Sequence, residues 1–199
     1  MKHSILFCFT IAILAACGNN SDIPSETGTI TKDTAVVKNY FPVNDFIKDE
    51  VNYADTFFTS FIKYTITDKK NDSVFIKPAE FRQWAAEFTT DELSKAALEK
   101  DYTESSFADQ TTGMATFTYA TSNASLPIKR VDVLAVPGEG FDKINSIYIE
   151  KVTGNGDTSV RKKVYWKSHK NVQVITETTI AAQSPKVDHF KIVWDASEK

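Results

Sequence analysis

From Tyr102 onward the side chains alternate with a period of two, and the breaks between the alternating runs are too short to hold a helix. The runs cover 103–107, 114–121, 128–136, 143–153, 158–167, 172–180 and 187–194. Between them stand turn clusters such as Asp109-Gln110-Thr111-Thr112-Gly113, Gly154-Asn155-Gly156-Asp157 and Ser168-His169-Lys170-Asn171. A parallel neighbour needs a crossover of about a dozen residues or more, so these runs must pair antiparallel, most simply as a meander. The alternation also assigns faces. Ala115, Phe117 and Tyr119 oppose Thr116 and Thr118; Val131, Val133 and Ala135 oppose Arg130 and Asp132; Val160, Val164 and Trp166 share a face, as do Phe190, Ile192 and Trp194. One face is apolar and the other wet, so the apolar face needs a cover.

The first half of the chain carries matching stripes. Ile47, Val51, Ala54, Phe58 and Phe61 recur at helical spacing, widened by Phe46, Phe57 and Ile62, and Asn44 or Asp45 is placed to cap, which predicts a helix over 45–62. Pro78 suits the first turn of a second helix with Phe81, Trp84, Ala85 and Phe88 on one side. Thr90 followed by Asp91 and Glu92 reads as the start of a short helix reaching 99. Between the first two helices, 63–67 and 73–76 flank the polar cluster at 68–72 and predict a short strand pair. The expected architecture is α+β: two or three N-terminal helices packed on a curved antiparallel meander of about five to seven strands. The alternative is an all-β half-barrel with the helices lying across its mouth.

The N-terminus has its own logic. Met1-Lys2-His3 precedes an apolar run over 5–14, and Leu14-Ala15-Ala16-Cys17-Gly18 closes it with small residues. This charged, hydrophobic, small-residue order is that of an export signal, and the run is short for a permanent bilayer span. The segment resembles the signal peptide and lipobox of a bacterial lipoprotein precursor. The resemblance implies thioether acylation of Cys17, cleavage before it and acylation of the new amino group. Gly18 in place of Asp implies, by resemblance to enteric sorting, the outer membrane of a Gram-negative cell. Residues 1–16 then form the signal, 17–39 a polar tether with Gly and Pro and no sustained period, and 40–199 one globular domain.

Composition narrows the function classes. Loss of 1–16 removes Lys2 and no acid, taking the formal charge from −3 to −4, which argues against a nucleic-acid footprint. Cys8 leaves with the signal, so the mature chain keeps one cysteine and has neither an internal disulfide nor a cysteine metal cluster. Stability falls to the core, for which 14 Phe, 7 Tyr and 3 Trp provide bulk.

No catalytic signature emerges: Gly-x-Ser-x-Gly, His-Glu-x-x-His and the spaced calcium loop are all missing. Gly154-Asn155-Gly156 and Gly138-Glu139-Gly140 sit between strands rather than opening helices, so they read as turns and not phosphate cradles. His169 falls in a hairpin loop, and His189 shares a face with Val187, Lys191 and Val193, pointing outward; neither has partners that sequence can place, and no metal or cofactor is expected. Arg161, Lys163 and Lys167 lie opposite Val164 and Trp166, with Tyr165 among them, forming a candidate contact for an anionic partner such as a lipid headgroup, a glycan or an acidic protein. Thr34 in Asp33-Thr34-Ala35 and Ser73 in Asp72-Ser73-Val74 resemble acceptors of a short bacterial O-glycosylation motif. Phe57, Phe58, Phe61, Trp84 and Phe88 either fill the core or line a cavity. These readings lead to a non-enzymatic, lipid-anchored envelope protein that binds an envelope protein, glycan or lipid. The alternative is a carrier holding an apolar ligand between helices and sheet.

Overall fold

The computed structural model describes residues 40–67, 71–136 and 143–197. Cys17, the tether with Thr34, and Gly138-Glu139-Gly140 lie outside the described residues. The architecture is α+β, with, among the described residues, three α-helices, α1 (Val43–Phe57), α2 (Pro78–Ala85) and α3 (Lys95–Asp101), and nine strands. The strands are β1 (Phe61–Ile66), β2 (Asp72–Ile76), β3 (Thr103–Asp109), β4 (Met114–Ala120), β5 (Ile128–Ala135), β6 (Ile144–Asn155), β7 (Thr158–Lys167), β8 (Asn171–Ile180) and β9 (Lys186–Val193). They form one sheet in the order β2-β1-β9-β8-β7-β6-β5-β4-β3, antiparallel throughout.

The expected meander is β3 to β9, taken in chain order. The expectation of five to seven strands is too low, because the early hairpin β1–β2 does not stand apart: β1 docks on β9, with Tyr64 opposite Lys191 and Ile62 opposite Val193. The chain thus brings its first strand to its last.

That docking also shortens the first helix. The expected helix over 45–62 ends at Phe57; Phe58 still donates its N–H to the Ala54 carbonyl at 3.0 Å, yet its own backbone is extended. Phe61 and Ile62, expected on the helical stripe, belong to β1. The run Phe61-Ile62-Lys63-Tyr64-Thr65-Ile66 is aromatic and β-branched and gains ladders on both sides, which outweighs its periodic fit to a helix. The third helix also begins later than expected. Asp91–Leu93 forms a single 3-10 turn, and Ser94, not Thr90, caps α3 by accepting the Ala97 N–H at 3.2 Å.

Helices and sheet meet in an aromatic core. Phe81 stacks on Phe61 at 4.7 Å and approaches Trp194 at 5.3 Å, while Trp84 packs on Phe88 at 5.3 Å and meets Phe190 edge-on at 5.8 Å. Phe46, Ile47, Phe61, Phe81, Phe88, Leu93 and Trp166 are almost fully buried, so the interface is filled. Each such side chain contributes roughly 1.5–3 kcal/mol of burial. Polar links tie the layers at their margins: Lys162 pairs with Glu87 at 2.7 Å, and the Tyr102 hydroxyl donates to the Ile128 carbonyl at 2.9 Å. The β6–β7 hairpin turns as expected, with Asn155 opposite Thr158 and Gly156 at φ +32°.

Candidate functional site

Two constellations stand out, one between the layers and one on the open face. The first centres on Glu50, an acid set among the apolar positions of α1 and only 2% exposed. Its Oε2 accepts the His169 backbone N–H at 2.8 Å and lies 3.4 Å from Trp166 Nε1, while Oε1 accepts from Ser168 Oγ at 2.9 Å. His169 Nδ1 is 3.0 Å from Oε1 without the alignment of a hydrogen bond, and the Tyr53 ring covers the imidazole at 4.1 Å. The carboxylate meets a sharp turn, because His169 adopts φ +59° between β7 and β8. Ser168 and His169 both address the carboxylate, an arrangement that orders the hairpin. Sequence reasoning missed this group. The available signal was a glutamate inside the apolar stripe of 47, 50, 51 and 54; its partners lie more than 110 residues away.

The second constellation is the face that the helices leave bare. The sheet register sets Tyr148, Tyr165, Gln173, Lys191 and Tyr64 side by side across β6, β7, β8, β9 and β1. Tyr64 is 37% exposed and Tyr165 41%. Burial, followed by the charges of Glu150 and Asp132, raises the Tyr148 phenol above its ordinary range, so it stays a neutral donor. Two residues along β9 from Lys191, His189 Nε2 lies 2.8 Å from Gln173 Nε2.

Of the candidate anion contacts, Arg161, Lys163, Tyr165 and Lys167 all sit on this face of β7, as expected from the alternation. They are not equally available. Arg161 donates to Glu150 Oε1 at 2.8 Å and Lys167 to Asn145 Oδ1 at 2.6 Å, while Arg130 forks onto both oxygens of Asp132 at 2.9 Å. Asp132 is the main cause that raises the Arg130 pKa. Lys163 and Lys191 have no ion-pair partner among the described residues. At the end of the tyrosine row, Tyr64, Lys191, Asn171, Lys170 and Asp195 border a cleft of about 510 Å³.

Ser73, the other modification candidate, is exposed in β2 at the edge of the sheet rather than in a loop. Beside it a cleft of about 280 Å³ is lined by Phe57, Phe58 and Phe75 together with Thr59 and Ser60. No group of three or more His, Cys, Asp and Glu side chains is placed to hold a metal among the described residues. No helix of the described residues is long and apolar enough to cross a membrane.

The chain matches no protein-family model, and no curated protein or solved structure is significantly similar to it.

Proposed function

We propose that this chain is a lipid-anchored envelope protein whose domain is a non-enzymatic binding module working through the bare face of its sheet. The observation that carries the reading is the contrast between the two faces. The helical face is closed by packed aromatics, whereas the other presents exposed Tyr64 and Tyr165 with Lys163 and Lys191, whose ammonium groups have no ion-pair partner among the described residues. Exposed aromatic and cationic side chains grouped on one rigid surface are typical of a recognition site. The filled helix–sheet interface supports this module over the carrier of an apolar ligand. The anchor rests on the lipobox at 14–17, and the outer membrane of a Gram-negative cell on Gly18.

Two measurements test the reading. Cys17→Ala is expected to move the protein from the membrane fraction to the soluble fraction, since the polar tether offers no second strong anchor. A photo-crosslinker at position 165 in intact cells is expected to trap an envelope component, and the same probe at position 100 on α3 is not. Equal trapping at both positions, or none at 165, removes the open face from the reading.

A further inference from the structure

We propose that the row Tyr165-Gln173-Lys191-Tyr64, with the cleft at its Tyr64 end, is a track for an acidic polysaccharide bearing carboxylates along its length. The inference rests on the open-face reading and names the chemical class that face takes.

Four features select this ligand. The row crosses four adjacent strands, so its ends are three interstrand steps, about 14 Å, apart, which is long enough for a run of sugar rings. Both ends carry an exposed phenol ring, a flat apolar surface with a polar rim on which the C–H face of a pyranose can lie. Between them Gln173 provides an amide, and Asn171 adds another in the cleft, so hydroxyl groups find both donors and acceptors.

Charge decides the class of sugar. The acids in the middle of the face, Asp132 and Glu150, are each taken by an arginine, whereas Lys191 inside the row and Lys163 beside it have no ion-pair partner among the described residues. Both arginines are thus already partnered by a carboxylate, whereas the two lysines are point-like cations suited to spaced carboxylates. A protein partner would require a buried apolar centre on its interface. The row instead sets two polar groups between its terminal aromatics, and the cleft of Phe57, Phe58 and Phe75 lies outside it.

The test is affinity electrophoresis of the full-length protein in detergent, run through gels containing polygalacturonate or its fully methyl-esterified form. Retardation is expected in the acidic polymer, with at least tenfold weaker retention in the esterified one. Lys163→Gln combined with Lys191→Gln is expected to weaken retention tenfold or more, and Tyr64→Ala several-fold. Lys95→Gln combined with Lys100→Gln, an equal charge change on α3, leaves it unchanged. Unaltered urea midpoints show that the variants are folded, as expected for surface positions. Equal retention of both polymers, equal loss in the Lys95→Gln and Lys100→Gln double variant, or no retention of either overturns the polysaccharide. If polygalacturonate fails while an acidic peptide or anionic vesicles bind with the same dependence on Lys163 and Lys191, the track is not for sugar but the binding module stands.

Discussion

Glu50 on α1 accepts the backbone N–H of His169 at 2.8 Å, so one buried carboxylate holds the turn joining β7 to β8 from the opposite layer of the fold. Its second oxygen takes the Ser168 hydroxyl at 2.9 Å. Removing the acid takes the acceptor from three donors beneath α1, the His169 N–H, the Ser168 hydroxyl and Trp166 Nε1–H.

Glu50→Ala is therefore expected to cost about 3 kcal/mol, the range for deleting one member of a buried charged network. Glu50→Gln keeps an acceptor oxygen and costs less. Urea denaturation of both variants checks the order; equal and small losses would show that the turn holds itself.

Phe81 is fully buried among Phe61, Trp166 and Trp194, and Phe81→Ala is expected to lose about 3–5 kcal/mol. Phe58 occupies the C-cap of α1 and is half-buried, 6.1 Å from the Tyr53 ring, so Phe58→Ala falls well short of that. Lys163→Glu, on the open face, stays within about 0.5 kcal/mol. Chemical denaturation ranks the three.

Gly154 and Gly113 separate two costs of adding a methyl group. At Gly113, φ is +67° and the space is open, so Gly113→Ala carries only the backbone penalty of about 1–2 kcal/mol. At Gly154 a Cβ would stand 2.1 Å from the Thr158 carbonyl oxygen, so Gly154→Ala is expected to cost more and to disturb the β6–β7 hairpin. Thermal midpoints of the two variants give the comparison.

Alkaline pH is expected to weaken the fold. Burial pushes the phenols of Tyr102 and Tyr119 from 10.0 up to about 12, helped for Tyr102 by the charges of Glu92 and Asp101. Between those values the unfolded chain has released these protons while the folded chain keeps them, so stability falls as pH rises from about 10 to about 12 and is fully present below. Urea midpoints at pH values across this window show the slope, and Tyr102→Phe reduces it.

The strands from β4 to β9 were legible because each buries one face against the core and leaves the other in water, which writes burial into the sequence as alternation. The same rule places Arg161, Lys163, Tyr165 and Lys167 correctly. It is blind to partners: that Glu150 occupies Arg161 while Lys163 stays free depends on a diagonal neighbour in β6. The end of α1 was misread because Phe61 fits a helical stripe and a strand face equally well, and only β9, more than 100 residues later, decides between them. Glu50 was missed for a similar reason, its partners being distant in the chain.

The pairing of β1 with β9 also orders events in time. Neither neighbour of β1 is β3, so the β1–β2 hairpin finds its seat only after residues 186–193 have been made. A chain that stops short of residue 186 lacks β9 and, with it, the dock of the opening hairpin. That hairpin thus waits for a segment more than 100 residues downstream, and its seat in a growing chain stays open until the segment has been made.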